Sequence, residues 1–354
     1  MSELVYGVGT KAWHPFSGCD ETLGCAKHCW AKRTCHRLAS AHSPDVRAQH
    51  QGLVEWDEKS KEFRWSGVVR LDERHINDPW HWRKSYRGCV GYHGDIALLP
   101  NLDVARVFSV MHQASRHTYF LLTKRISVLA ELLLAAKNWE GWVTHNGVPP
   151  LGYWRGQRDG PEPGTVIGAN DRWPPKNVLI GISARTQAEL DERAPHLMKL
   201  AAAGWRTWLS LEPLLEEVNV EPYLGHKTMC ARCGWVPGEG MARYLEIHGD
   251  TAICIRCQDR LPNPHLEFVV VGGESGPGAD PMNPDWVCSL RDQCAAVNVP
   301  WNFKQWGEWA PVRPVGNMEY PHYDFGENGP RVWLVGKKLA GRTLDGGTWD
   351  GRPE

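Results

Sequence analysis

The chain has 354 residues, of which 42% are hydrophobic and 23% are charged, and its net charge is −1. This composition excludes a disordered or fibrous protein and allows one large core or two ordinary ones. The balance of 40 basic and 41 acidic residues argues against a protein that coats DNA by general phosphate neutralisation, although it allows a local basic groove.

The amino end has no basic segment followed by an apolar one, and no apolar run approaches the length that spans a membrane. The eleven cysteines fall into tight clusters, a pattern more typical of metal ligation than of disulfides. We therefore expect a cytoplasmic protein without membrane contact, whose clustered cysteines bind metal in a reducing compartment.

The first predicted element is a short strand that leads into three closely spaced cysteines, Cys19, Cys25 and Cys29. Three thiolates leave one iron of a four-iron cluster without a protein ligand. Such an open iron can bind a substrate or cofactor, whereas a fully ligated cluster usually only carries electrons. The cysteines therefore favour an enzyme, with Cys35 as an alternative for one ligand.

Strands and helices then alternate along the chain. The predicted strands after the first are 68–71, 89–92, 118–122, 178–182, 207–211, 268–271 and 300–303. Helical periodicity covers 127–136, 187–203 and 284–296. Repeated strand and helix units predict an α/β fold with a parallel sheet, and about eight units favour a partial or complete (β/α) TIM-type barrel.

Residues that follow the strands of such a barrel share one face. Besides the Cys19 loop, this face is expected to carry His93, Asp95, Ser183, Glu212, Glu274 and Lys304. The two glutamates suit binding of an amino group or a ribose hydroxyl, or they cap the following helices. Lys304 suits a carboxylate or phosphate, or is simply solvated. The histidine and aspartate suit proton transfer or a hydrogen-bond network beneath the loop.

Two segments interrupt the repeat, at about 142–176 and at 226–264. The second carries two C-x-x-C pairs, formed by Cys230, Cys233, Cys254 and Cys257. Their spacing is typical of a tetrahedral zinc ribbon, with an accessory iron–sulfur cluster or two disulfides as alternatives. A closed four-thiolate site would fold an insert too small to build its own core.

These interruptions divide the chain into three predicted parts. Residues 1–225 are the first part of the barrel, 226–264 are the zinc-binding insertion with its four cysteines, and 265–354 are the final part of the barrel with a carboxyl-terminal extension.

Several motifs carry a family resemblance. They are Gly18-Cys19 through Cys29-Trp30-Ala31 and the segments at 121–125, 211–214, 269–279, 303–309 and 336–346. Together they resemble the phage-associated family of radical S-adenosylmethionine (SAM) enzyme relatives found in bacteriophages and prophages, a family formerly defined only as a domain of unknown function. The resemblance spans nearly the whole chain except the two insertions.

The resemblance implies a radical SAM barrel in which Cys19, Cys25 and Cys29 hold a [4Fe-4S] cluster. SAM would bind the open iron, and its reductive cleavage would yield a 5′-deoxyadenosyl radical that abstracts hydrogen from the substrate. The spacing C-x5-C-x3-C departs from the usual C-x3-C-x2-C. The run Gly272-Gly273-Glu274 resembles the SAM-binding Gly-Gly-Glu of such enzymes, although it comes late in the chain, and Ser183 and Glu212 are further candidates for binding SAM.

The implied function is to modify or rearrange a nucleobase-linked group in phage DNA, for example as an isomerase of hypermodified thymidine, in the cytoplasm of the infected host. DNA or a modified nucleoside is then the substrate, and flavodoxin or ferredoxin the electron donor. Trp80-His81-Trp82 lies beside several cations, a mixture suited to stacking on an extruded base. Two alternatives remain open: the same radical chemistry on a peptide or small metabolite, and a non-catalytic, zinc-dependent nucleic-acid-binding protein.

Overall fold

The computed structural model describes residues 10–21, 29–135, 174–224, 264–316 and 318–353, together with the backbone of three short strands between 246 and 261. Five predicted metal ligands lie outside the described residues: Cys25, Cys230, Cys233, Cys254 and Cys257. Most of the two predicted insertions also lies outside them.

The chain divides into two compact units, Met1–Gly181 and Ile182–Glu354. The described strands and α-helices that lie wholly in the first unit are β1 (Thr10–Trp13), β2 (Phe16–Ser17), α1 (Trp30–Leu38), α2 (Pro44–His50), β3 (Val54–Asp57), β4 (Glu62–Trp65), β5 (Arg70–Leu71), α3 (Asp78–His81), β6 (Arg87–Val90), α4 (Asn101–Gln113), β7 (Thr118–Thr123) and α5 (Ile126–Leu134).

Strand β8 (Val178–Ala184) begins in the first unit and ends in the second. The described strands and α-helices after it are α6 (Gln187–Ala202), β9 (Arg206–Leu211), β10 (Glu246–His248), β11 (Thr251–Ile253), β12 (Arg260–Leu261), β13 (Val269–Gly272), α7 (Pro284–Ala295), β14 (Trp301–Gln305), β15 (Trp309–Ala310), β16 (His322–Asp324), β17 (Arg331–Leu334) and α8 (Lys337–Ala340).

The main sheet has seven strands in the order β1-β6-β7-β8-β9-β13-β14. It is parallel and its strands alternate with helices, which is consistent with a partial β/α barrel. Every residue of β8 and β13 is buried. Such continuous burial is typical of parallel strands that are covered on both faces. The prediction of an α/β fold with a parallel sheet is confirmed.

One predicted strand of the barrel is wrong. The segment 68–71 contributes only the two-residue strand β5, which pairs antiparallel with β2 outside the main sheet. Strands β10, β11 and β12 form a separate antiparallel sheet, and β15, β17 and β16 form another. No helix among the described residues has the length and apolar character that a membrane span needs.

Candidate functional site

The loop that carries Cys19 is held by backbone contacts in the first unit. The N–H of Gly18 donates to the carbonyl oxygen of His93 at 2.9 Å, and the N–H of Asp95 donates to the carbonyl oxygen of Gly18 at 3.3 Å. Gly18 has a φ of +112°, and a Cβ there would lie 2.1 Å from the carbonyl oxygen of Val68. Only glycine fits this position, so the residue before Cys19 fixes where the cysteine sits.

Two predicted ligands, Cys19 and Cys29, are half-buried. Both pack against the same small apolar cluster, which includes the buried Cys35. The thiol of Cys35 lies 3.8 Å from the carbonyl oxygen of His93, an arrangement in which it donates. Burial, followed by the neighbouring cysteines, raises the pKa of Cys35 to about 12. This environment favours a protonated thiol at Cys35, whereas Cys19 and Cys29 remain accessible as ligands.

A buried carboxylate organises the end of β7 beside Cys19. Asp95 accepts hydrogen bonds from the hydroxyl of Thr123 at 2.7 Å and from the backbone N–H of Lys124 at 3.1 Å. The guanidinium of Arg125 donates to Asp95 at 3.0 Å and also contacts Asp20.

The same guanidinium lies 3.7 Å from the Sγ of Cys19. Burial lowers the pKa of Arg125, but Asp95, Cys19 and Asp20 outweigh burial and raise it above its ordinary value. A fixed cation is therefore positioned against the sulfur of the first cysteine.

The residues on either side of 22–28 are joined by an ion pair. The Nζ of Lys32 lies 2.5 Å from an Oε of Glu21, and the same carboxylate accepts the N–H of Trp65 at 2.6 Å. Lys32 is 4% exposed. This half-buried pair connects the two flanks of the segment that contains Cys25.

Three histidine rings meet behind the loop. His14 and His93 stack with centroids 4.0 Å apart, and His50 faces His93 edge-on at 5.8 Å. Burial, with a smaller effect of His50, lowers the pKa of His14 to about 4. Burial, with smaller effects of His14 and His50, lowers the pKa of His93 to about 3. Stacked rings direct their nitrogen lone pairs into separate planes, so this arrangement packs neutral rings and does not chelate one metal ion.

We predict that these histidines make stability pH-dependent. A histidine whose pKa is lower in the folded state favours unfolding when it is protonated, so its stabilising effect is complete above pH 6.5 and is lost as the pH falls toward 4. Each such group changes the free energy of unfolding by up to about 1.4 kcal/mol per pH unit in this window. In His14→Phe, urea unfolding measured from pH 7 to pH 4.5 should show a shallower pH slope than in the wild type. An unchanged slope would contradict this assignment.

The second unit carries a separate group of charges at strand ends. The Nζ of Lys304 lies 2.6 Å from an Oε of Glu212, and the hydroxyl of Ser210 donates to the same carboxylate at 3.0 Å. Both charged side chains retain about a fifth of their exposure. Ser183 lies within β8, and its carbonyl oxygen accepts the guanidinium of Arg193 at 2.5 Å. The structure therefore pairs Glu212 with Lys304 and gives the Ser183 backbone a structural contact.

The Gly272-Gly273-Glu274 run has a structural role of its own. A Cβ on Gly273 would lie 1.9 Å from the carbonyl oxygen of Trp306, so the backbone after β13 approaches the backbone after β14 too closely for a side chain. A Cβ on Gly272 would lie 3.0 Å from an Oε of Glu212. The carboxylate of Glu274 accepts the N–H of Asp280 at 2.8 Å and closes the following loop.

Sequence reasoning missed a third glutamate in this unit, Glu308. Glu308 accepts the N–H of Gly276 at 2.8 Å and the backbone N–H of Lys337 at 3.0 Å. Burial, and then the charge of Lys304, lowers the pKa of Lys337, against the opposing effects of Glu308 and Glu212. The charges of Glu212, Lys304, Glu308 and Lys337 therefore influence one another. The motif at 303–309 contains Glu308, but no sequence signal identified the lysine as its neighbour.

A family model covers both groups of residues. The match extends over residues 8–353 and has the description "Protein of unknown function (DUF5131)". The chain belongs to this family. No curated protein and no solved structure matches the chain.

The DUF5131 description states no activity, so the chemistry of the residues must supply a function. In the described part of the chain, no three histidine, cysteine, aspartate or glutamate side chains converge closely enough to hold a metal ion. Of the three predicted cluster ligands, Cys19 and Cys29 are described and Cys25 lies between them in the sequence. Cys19 and Cys29 are half-buried and pack against the same apolar side chains, and the Arg125 guanidinium lies beside the sulfur of Cys19. This setting fits an iron–sulfur cluster, because its thiolate ligands make it anionic.

Proposed function

We propose that this protein is a radical SAM enzyme that modifies or rearranges a nucleobase-linked group in phage DNA, for example as an isomerase of hypermodified thymidine. Cys19, Cys25 and Cys29 would hold a [4Fe-4S] cluster. When bound, the cluster supplies the electron that cleaves SAM and so initiates hydrogen abstraction from the substrate.

The observation that carries the proposal is the setting of Cys19. Its thiol follows the first strand of a parallel sheet, lies with Cys29 against one apolar cluster and faces the guanidinium of Arg125 at 3.7 Å. Active sites of β/α barrels lie at the carboxyl ends of the strands. Hydrogen bonds to cluster sulfurs and nearby charge tune the reduction potential of such clusters.

The remaining residues of this loop orient and shield the cysteines. Asp95 holds Arg125 in place, and the Glu21–Lys32 pair connects the two flanks of the segment around Cys25. The apolar cluster excludes water from one side of the two thiols. These contacts supply the rigid first strand end and loop that a reactive centre needs.

The charges of the second unit suit a polar cofactor or substrate. Glu212 offers a carboxylate to an amino or hydroxyl group, and Lys304 offers an ammonium to a carboxylate or phosphate. In this structure Glu212 and Lys304 form an ion pair with each other at 2.6 Å. A zwitterionic ligand carries both an ammonium and a carboxylate, which would replace the partners of Glu212 and Lys304.

The substrate class is tested with the reduced, anaerobic enzyme and SAM. Duplex DNA that carries hypermodified thymidine with deuterium on its side chain is expected to stimulate SAM cleavage and to transfer deuterium into 5′-deoxyadenosine. Unmodified DNA of the same sequence is the matched control and is expected to give only background cleavage. Stimulation by peptides or small metabolites, with no response to the modified DNA, would refute the assignment of the substrate while leaving the radical chemistry standing.

A further inference from the structure

Cations from three segments gather at the amino ends of the first strands. The segments 10–13, 79–87 and 114–118 contain no aspartate or glutamate. Strand pairing places Thr10 opposite Arg87 and Arg87 opposite Thr118, so the three segments are neighbours. We call this surface the basic edge, and its lysines and arginines are Lys11, Arg83, Lys84, Arg87 and Arg116.

Specific contacts hold the basic edge in shape. The guanidinium of Arg116 donates to the carbonyl oxygens of Trp82 at 2.7 Å and Trp80 at 2.9 Å. The Nζ of Lys11 lies 4.7 Å from the ring centroid of Trp82 and 5.3 Å from that of Tyr86. These bonds fix the loop before β6 onto the strands, so the cations are displayed on an ordered surface.

Four of the five cations of this surface have no carboxylate partner within the described part of the chain. Among the described residues no carboxylate forms an ion pair with Lys11, Arg83, Lys84 or Arg116. Arg83, Lys84 and Arg116 are exposed. In a chain whose net charge is −1, such a local excess of cations is an electrostatic footprint for a polyanion.

The basic edge is distinct from the cysteine site. Its cations lie within or before the amino-terminal parts of β1, β6 and β7, whereas Cys19, Asp95 and Arg125 follow the same strands. A four-residue strand rises about 3.3 Å per residue, which separates its first and last residues by roughly 10 Å. Binding at the basic edge therefore anchors a partner without occupying the cysteine loop.

We propose that the basic edge binds the phosphate backbone of duplex DNA. Lysine and arginine contacts to phosphates position a nucleic acid without reading its sequence. Within the Trp80-His81-Trp82 run predicted to stack on a base, Trp82 is not available, because its ring is 5% exposed and lies under Lys11. The choice of DNA as the polyanion rests on the proposed function, whereas the inference that the basic edge binds a polyanion rests only on its charge.

The test measures binding of a fluorescent 20-base-pair unmodified duplex to the full chain by anisotropy at several salt concentrations, without SAM or reductant. Each phosphate contact contributes about 0.9 to the slope of log affinity against log salt, so Arg83→Gln with Lys84→Gln should lower the slope by about two and weaken binding. The matched control, Lys59→Gln with Lys61→Gln, removes the same charge from an exposed turn of the first unit and should leave the slope unchanged.

Equal effects of the two double variants, or no salt-dependent binding by the wild type, would overturn the proposal. Preferential binding of polyglutamate over DNA at equal charge would also overturn it, because the partner would then be an acidic protein. Circular dichroism establishes that each variant is folded, and Lys11→Gln provides an independent variant on the same surface. Since no catalysis is measured, a negative result here leaves the radical chemistry untouched, and failure of that chemistry leaves this test unaffected.

Discussion

Replacing Cys19 with serine is expected to remove most of the iron and sulfide from the anaerobically purified protein and to reduce SAM cleavage to background. The cluster would retain only two cysteine ligands, and the guanidinium of Arg125, now 3.7 Å from a sulfur, would face a neutral hydroxyl. A serine oxygen is a poor substitute for a thiolate on iron. Iron and sulfide analysis, visible absorption and a 5′-deoxyadenosine assay measure the result.

Two other cysteines provide controls for this prediction. Cys288 is a partly exposed free cysteine of the second unit, so Cys288→Ser should retain full iron. Cys35→Ser should also retain it, because the Cys35 thiol is buried and directed at a carbonyl oxygen. Iron retention in Cys19→Ser would refute the ligand assignment, and iron loss in Cys35→Ser would move one ligand to Cys35.

Replacing Asp95 with asparagine is expected to lower the free energy of unfolding by about 1–3 kcal/mol, the usual cost of leaving a buried hydrogen-bonding group unsatisfied. Asp95 is 5% exposed and binds Thr123, the Lys124 backbone and Arg125. An amide cannot accept from all of these donors and leaves the guanidinium with Asp20 alone. Urea unfolding measures the stability, and iron content is expected to fall with it because the cysteine loop loses its support.

Asp103→Asn is the matched control for Asp95→Asn. Asp103 also pairs with an arginine of the first unit, Arg106, at 3.3 Å, but it is 24% exposed. More exposed ion pairs contribute about 0–1 kcal/mol, so this variant should unfold almost like the wild type. If both variants lost the same stability, the Asp95 network would have no special role in the loop.

Much of the parallel sheet could be predicted from the sequence because its strands are buried apolar runs. The predicted strand 178–182 and helix 187–203 correspond to Val178–Ala184 and Gln187–Ala202. The helix begins where the side chain of Thr186 accepts the N–H of Glu189 at 3.2 Å, a local signal that a sequence carries in full. Repeated strands and helices then determine the parallel arrangement.

The contacts between distant segments could not be predicted in the same way. The segment 68–71 has strand composition, yet its partner is β2, and pairing is decided by tertiary contacts rather than by propensity. Asp20 and Arg125 are 105 positions apart and meet only in the folded chain. Trp82 looked available for stacking because the sequence does not show that its ring is buried.

Most residues of the candidate site could be predicted from the sequence, but most of their contacts could not. Cys19 and Cys29 were identified from spacing, and Glu212, Glu274 and Lys304 from their positions after strands. The packing of neighbouring strands pairs Glu212 with Lys304, and it brings the Trp306 backbone so close to Gly273 that only glycine fits there. Neither contact can be inferred from the sequence. Sequence therefore located the charged groups, whereas the structure specified their partners.

The most direct test of the central claim is a metal analysis of the wild-type protein after anaerobic purification, followed by reduction in the presence of SAM. Iron, sulfide and zinc are measured on the same sample, and 5′-deoxyadenosine is assayed after reduction. A radical SAM enzyme with a four-cysteine zinc site predicts about four irons and four sulfides beside one zinc, with SAM cleaved. Zinc alone, with no sulfide and no cleavage, would contradict the radical mechanism and favour a non-catalytic nucleic-acid-binding protein.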